Sequence, residues 1–270
     1  MVSRAWYAGP GRVDVHGVPE GYDALVLRRA AGVLAAEQRP VLHVARDDAR
    51  LARLSEAVGF FAPEIDLLGF PAWDCLPYDR VSPNSQLVSR RLDSLTRLAS
   101  PVVEVGRPRL VITTVAAILQ RVPTRKLLAP AVKRLRIGDQ VDGDELVGFF
   151  QRNGYTRTDT VREPGEYAIR GGIIDVYPAG LAEPLRLDLF GDTLEAIREF
   201  DPMSQRSTGR REAVDLKPAS EVLLDEASIA RFRAGYRALF GPETADDPLY
   251  ESISAGRKHI GLEHWLPLFH

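Results

Sequence analysis

The sequence predicts an α/β fold in which a lobe built on a parallel sheet receives a small inserted α+β domain with an antiparallel sheet. Strand and helix signals alternate through the first half, which is typical of a parallel sheet covered by helices on both faces. After about residue 153 the chain becomes rich in strands separated by short Gly, Pro or Asp connections, too short for parallel crossovers. From about Lys217 helical signals return, so the chain is expected to rejoin the first lobe.

The elements of the first lobe follow from hydrophobic periodicity. Helices are predicted over 23–37, 48–58, 85–98 and 115–120. Asp48 is the candidate N-cap of the second helix. Apolar runs predict strands at 40–45, 65–70 and 109–114, and the first of these suits a buried strand. The segment 71–79 contains two prolines and is expected to be a loop.

The middle and last parts have a different pattern. Pro123 and Pro130 mark the expected boundary of the first lobe. A helix over 143–153 should turn Leu146, Phe149 and Phe150 inward. Strands are predicted at 167–170, 172–177, 185–190 and 194–200, and a further helix at 225–239. The apolar stretch 265–270 has no natural stop, so we expect the chain to be cut from a longer protein.

Composition limits the classes of function. Apolar residues make up 45% and charged residues 27%, as in an ordinary soluble globular protein, and no apolar run is long enough for a transmembrane helix. The formal net charge of -2 gives no basic footprint for nucleic acid, and 31 of the 35 basic residues are arginines, which we attribute to codon bias. Cys75 is the only cysteine, which excludes a disulfide framework and favours a reducing cytoplasm.

A glycine-containing loop before the first helix invites comparison with a P-loop. That motif needs a lysine for the phosphates and a hydroxyl for magnesium at fixed distances from its first glycine. Counting from Gly17 through Gly21, the lysine position holds Asp23 and the hydroxyl position holds Ala24. Glu20 adds a second negative charge, so this loop is predicted not to bind nucleotide.

Other catalytic chemistry finds little support. The histidines are His16, His43, His259, His264 and His270, and none has metal-ligand spacing, so neither a metal nor a cofactor is expected. His43 is expected to be packed in the core. Cys75 has no histidine close to it in sequence and is expected to be an idle thiol. Asp74 and Asp79 are expected to cap turns rather than to act as paired catalytic carboxylates.

The predicted strand 185–190 has the most informative pattern. Alternation places its three leucines on one face, which should be core, and Arg186, Asp188 and Phe190 on the other. Arginine beside an exposed phenylalanine is common at protein-interface hot spots. The alternative is that Phe190 folds under a loop while Arg186 pairs with Asp188 or Asp192. Arg170 could lie beside Arg186 across the sheet or be solvated.

Several motifs resemble the N-terminal, UvrB-like region of bacterial transcription-repair coupling factors. The resemblance extends over most of the chain from about residue 17, and the segments that carry it are 70–79, 82–83, 89–92, 165–178, 185–190, 200–206 and 261–268. The segment around 165–178 is shared with the excision protein UvrB, whereas the Trp73 loop is similar to the coupling factors.

The resemblance implies a three-part layout. Residues 1–128 would form a helicase-like lobe with a degenerate P-loop, 129–216 a UvrA-interaction domain, and 217–270 the return to the first lobe. In the family, UvrA contacts fall on two arginines and a phenylalanine, which match Arg170, Arg186 and Phe190 here. Asp188 and Glu166 are neighbouring candidates.

The function that the resemblance implies is a non-catalytic platform that mimics UvrB and recruits UvrA to stalled transcription complexes. The family's motor and RNA polymerase-binding domains, which would contact double-stranded DNA and polymerase, lie outside this chain, and no membrane contact is expected. The alternatives left open are a working UvrB-like ATPase lobe and a direct DNA-binding lobe.

Overall fold

The computed structural model describes residues 11–76, 79–100, 107–241 and 247–269 of the chain. Its helices are α1 (Tyr22–Leu34), α2 (Asp48–Phe61), α3 (Ser85–Ala99), α4 (Val115–Ile118), α5 (Arg125–Leu128), α6 (Gly143–Arg152), α7 (Glu226–Phe240) and α8 (Pro248–Ser254). Its strands are β1 (Val41–Ala45), β2 (Asp66–Phe70), β3 (Arg109–Thr114), β4 (Lys133–Arg136), β5 (Thr156–Arg157), β6 (Glu166–Arg170), β7 (Ile173–Val176), β8 (Leu185–Phe190), β9 (Thr193–Phe200), β10 (Ser207–Arg211) and β11 (Ala213–Leu216). Short 3-10 helices span Ala35–Glu37, Ala129–Ala131 and Leu262–Leu268.

The chain divides into two compact units, one of Met1–Ala72 with Val102–Leu119 and one of Trp73–Pro101 with Gln120–His270. The mixed α/β class predicted from sequence is confirmed, since a parallel sheet and an antiparallel sheet are both present. None of the helices in the described part of the chain is long and apolar enough to cross a membrane.

The first unit contains a parallel sheet in the order β1-β3-β2. Helices α1 and α2 bury one face of it, with Leu54, Leu110 and Ile112 at the centre of the core. The prediction that 40–45 is a buried strand is wrong, because β1 is an edge strand and Leu42 is 56% exposed. His43 is likewise only half-buried, and this burial lowers its pKa.

The N-cap of α2 lies one residue earlier than predicted. Asp47, not Asp48, has the extended backbone that a cap requires, and its carboxylate accepts a hydrogen bond from the Arg50 amide at 2.8 Å. Asp47 and Asp48 are equally good N-cap residues by type, so only the backbone conformation shows which of them caps α2.

The second unit is organised around a six-stranded sheet in the order β10-β9-β8-β7-β6-β5. The pairings from β6 to β10 are antiparallel, as predicted, and only β5 pairs in parallel. Helix α6 packs Leu146, Phe149 and Phe150 onto one face of this sheet, which confirms their inward orientation. The sequence did not predict β4, β5, β10 and β11, which are short or polar.

A buried polar cluster joins distant parts of the second unit. Arg91 and Glu221 are both fully buried and form two hydrogen bonds, from Nε at 2.5 Å and from Nη2 at 3.1 Å. The Trp73 indole donates to the same carboxylate at 3.1 Å, and the Arg91 guanidinium lies over the Trp73 ring. Because a buried charge is costly without a partner, this cluster fixes the loop that begins at Trp73.

The rest of that loop has the predicted turn chemistry. The carboxylate of Asp74 accepts from the amide of Asn84 at 3.0 Å, and that of Asp79 accepts from the amide of Leu76 at 2.7 Å. Pro77 and Tyr78 lie outside the described residues.

Candidate protein-interaction surface

Strand β8 lies in the interior of the six-stranded sheet, between β7 and β9. Its side chains alternate as predicted: Leu185 and Leu187 are buried in the α6 core, and Arg186 and Asp188 are half-buried on the opposite face. Phe190 ends the strand and is 77% exposed, so it does not fold under a loop. That opposite face, carrying Arg170, Asp175, Arg186, Asp188 and Phe190, is called here the arginine face.

Arg186 is fixed by an aspartate on the neighbouring strand. Its Nε and Nη2 donate to the two oxygens of Asp175 at 2.7 and 2.9 Å, in the fork geometry that suits a carboxylate. Asp175 lies directly opposite on β7 and is 1% exposed. Its hydrogen bonds raise the pKa of Arg186 above the ordinary value, and the guanidinium stacks 4.8 Å from the centre of the Phe200 ring. The predicted alternative pairings with Asp188 or Asp192 are therefore wrong.

Arg170 shares the same carboxylate. Its Nη2 lies 3.9 Å from Asp175 Oδ2 and donates to the backbone oxygen of Asp159 at 2.8 Å, while half of the side chain stays exposed. Of the two possibilities left open by the sequence, the structure thus supports a position beside Arg186 across the sheet. The two arginines are held about one aspartate and keep donors available on the surface.

The topology brings Arg170 and Phe190 to the same end of the sheet. β6 and β8 are separated by one antiparallel strand and so run in the same direction, each ending at a two-residue turn. Gly172, in the first turn, has its backbone so close to β8 that a Cβ would lie 2.6 Å from the Leu189 oxygen. Only glycine permits this approach.

The remaining candidates have structural partners. Asp188 forms an ion pair with Arg198 on β9 at 2.8 Å. Glu166 lies on the same face of β6 as Arg170, but its carboxylate accepts from the amides of Arg162 and Glu163 at 2.7 and 2.9 Å. Glu166 therefore shapes the preceding turn, and this bonding occupies one of its carboxylate oxygens.

The loop before α1 is filled by its own charged side chains. The carboxylate of Asp23 accepts from the amides of Gly21 and Ala24, both at 3.1 Å, and pairs with Arg50. Glu20 also pairs with Arg50, at 2.6 Å, and with Arg53, at 2.9 Å; these arginines hold its pKa below the ordinary value. Gly17 adopts a left-handed backbone with open space around it, and Ala24 is buried in the core. The amides of Gly21 and Ala24 are thus taken by a carboxylate.

The thiol of Cys75 has a histidine nearby that sequence spacing did not reveal. Its Sγ lies 3.9 Å from Nε2 of His264, and that same nitrogen is 3.1 Å from the backbone oxygen of Val81. A proton on Nε2 that bonds this oxygen leaves no lone pair there to accept the thiol proton. Burial, together with Asp74, Glu263 and Asp79, raises the pKa of Cys75, so the geometry opposes a thiolate.

Residues 134–222, which contain all five predicted contact residues, match the family described as the UvrB interaction domain. The chain is 34% identical over 85% of its length to the transcription-repair-coupling factor of Escherichia coli and 33% identical over 92% to that of Haemophilus influenzae. It is 33% identical over 96% of its length to that of Myxococcus xanthus. The chain belongs to the transcription-repair-coupling factor family. It spans about a fifth of the length of these relatives.

Two residues of the arginine face, Asp175 and Arg198, were not among the contact residues predicted from the sequence. Asp175 stands in an otherwise apolar strand, where a charged residue in a buried pattern signals a required partner. Arg198 was inside a predicted strand, but its role depends on the pairing of β8 with β9. A register shift between Asp188 and Leu189 complicates that pairing, and the sequence contains no signal from which it could be read.

Proposed function

We propose that this chain is a docking module that binds the repair protein UvrA and recruits it to stalled transcription complexes. The observation that carries the proposal is the open end of the arginine face, where Phe190 is exposed and Arg170 and Arg186 are held by one buried aspartate. The match of residues 134–222 to the UvrB interaction domain supports the same surface.

The chemistry of this surface suits a protein partner. Aromatic residues and arginines are enriched among interface hot spots, and a hot spot works best when its side chains are already ordered. Arg186 is ordered by Asp175 and by the ring of Phe200 beneath it. Phe190 supplies apolar area next to these fixed donors.

The proposal also covers the organisation of the chain. We propose a degenerate helicase-like lobe over 1–128, the UvrA-interaction domain over 129–216, and a return to the lobe over 217–270. The loop with Asp23 and Ala24 would hold no nucleotide, so the module itself would be no enzyme. Contacts with RNA polymerase and DNA would belong to other parts of a longer protein. The module would compete with UvrB for UvrA.

Binding of purified UvrA to the immobilised chain tests the proposal. We expect Phe190→Ala to weaken binding at least 30-fold, because truncating a hot-spot residue costs about 2 kcal/mol or more. Phe60→Ala is the matched control: Phe60 is 79% exposed, against 77% for Phe190, but lies on α2. Equal binding by both variants would contradict the site, and no binding by the unmodified chain would contradict the function.

The structure also guides the choice of arginine variant. Arg186→Glu should abolish UvrA binding, but it places a carboxylate against buried Asp175 and so tests folding together with binding. Arg170→Ala is cleaner, because half of the Arg170 side chain is exposed and Asp175 keeps its Arg186 partner.

A further inference from the structure

A row of arginines crosses the sheet on the arginine face and continues past the predicted contact residues. Arg186 on β8 lies directly opposite Arg198 on β9, and Arg198 lies directly opposite Arg210 on β10. Residues directly opposite on neighbouring strands share a face, and the strands are about 4.8 Å apart. The row therefore runs from Asp175 across three strands to the edge of the sheet.

Each arginine in the row is neutralised to a different degree. Asp175 pairs with Arg186, and Asp188 pairs with Arg198, whose side chain stays 41% exposed. Arg210 is exposed, and none of the ion pairs found among the described residues includes it. Positive charge thus becomes progressively less compensated from β8 to the β10 edge.

This arrangement opposes the stability of the sheet. Like charges directly opposite on antiparallel strands are destabilising, and here two such pairs follow each other. Residues that break a local rule of stability are often those that serve a function. The row is continuous with the surface around Arg170 and Phe190, which places a binding role on the same face.

We infer that the UvrA-binding surface extends over β9 and β10, where Arg198 and Arg210 meet a carboxylate-rich patch of UvrA. This inference rests on the proposed function. Arginine forks suit carboxylates, and charges at the rim of an interface act mainly by accelerating association. Phe190 and Arg186 would set how long the complex lasts, and Arg198 and Arg210 how fast it forms.

The test is the rate of association of UvrA with the full chain, measured over a range of salt concentrations. Arg210→Ala is compared with Arg211→Ala, which removes the same charge from the same strand. Arg211 is the next residue along β10, and its side chain pairs with Glu199 instead. We expect Arg210→Ala to slow association about two- to fivefold and to reduce its salt dependence, with little change in dissociation. Arg211→Ala should change neither rate by as much as twofold.

The outcomes separate this inference from the proposed function. If the unmodified chain does not bind UvrA, the proposed function fails. If the chain binds UvrA and Phe190→Ala weakens it, but Arg210→Ala behaves like Arg211→Ala, only the extension to β10 is overturned. Binding of duplex DNA is measured in parallel. If Arg210→Ala weakens only the DNA complex, the row serves nucleic acid and the inference is overturned.

Discussion

At the scale of single residues, Asp175 determines how the arginine face works. One buried carboxylate accepts hydrogen bonds from Nε and Nη2 of Arg186 and lies within 3.9 Å of Arg170. Such sharing restricts the rotamers of two long side chains before any partner arrives, so less entropy is lost on binding. The proposed site of two arginines and a phenylalanine would thus depend on Asp175, an acidic residue that the sequence analysis did not single out.

Asp175→Asn should destabilise the fold and weaken UvrA binding together. Because Arg186 would then lose its charged partner in a largely buried setting, we expect the free energy of unfolding to fall by about 3–5 kcal/mol. Urea denaturation measures this change. Asp188→Asn is the control for stability, since its partner Arg198 has 41% of its side chain exposed against 19% for Arg186, so we expect a smaller loss. Equal losses in the two variants would show that Asp175 has no special role.

At the scale of elements, acidic caps define where several helices begin. Asp142 caps α6, Asp225 caps α7 and Asp247 caps α8. The cap of α8 does more than the others, because Asp247 also accepts a hydrogen bond from the Tyr236 hydroxyl of α7 at 2.8 Å. This hydrogen bond links the start of α8 to α7, and both helices contribute side chains to the hydrophobic cluster around Phe232.

Because Asp247 caps α8 as a carboxylate, the stability of the fold should decrease at low pH. Burial alone would raise the pKa of Asp247, but hydrogen bonds from Tyr236 and from the Tyr250 and Leu249 amides hold it below its ordinary value. A lowered carboxyl pKa adds stability above the ordinary value that is lost as the pH falls through the folded value. Asp247→Asn preserves a capping oxygen but cannot titrate, so its melting temperature should fall less than that of the unmodified chain as the pH is lowered through and below the ordinary aspartate pKa. Parallel curves would refute this assignment.

At the scale of the whole molecule, sequence patterns predicted what local chemistry controls. The span of β3, the face of α6 and the alternation along β8 all follow from periodicity, and the structure has them. Long-range choices were not predictable. The contact of Arg91 with Glu221 joins residues 130 positions apart, and the pairing of Arg186 with Asp175 depends on sheet register. A local pattern can indicate that a buried charge needs a partner, as at Asp175, but it does not indicate which residue that partner is.

The filled loop before α1 leads to a prediction for the intact chain. A ligand at 100 times its dissociation constant adds about 2.7 kcal/mol of stability, enough to raise the melting temperature by several degrees. Because Asp23 and Glu20 occupy the loop with Arg50, we expect millimolar Mg-ATP to leave the melting temperature unchanged within about 1 °C. A dose-dependent increase would instead favour a nucleotide-binding lobe.

The outer strand β10 has a consequence for the behaviour of the protein in concentrated solution. Among the described strands it pairs only with β9, so its other side is a sheet edge, the part of a sheet to which another molecule can add a strand. Arg210 and Arg211 place charge on both sides of that edge, and charged edge strands resist aggregation. If the proposed extension of the binding surface holds, Arg210 would serve both solubility and recognition. Light scattering should therefore accompany every measurement on Arg210→Ala.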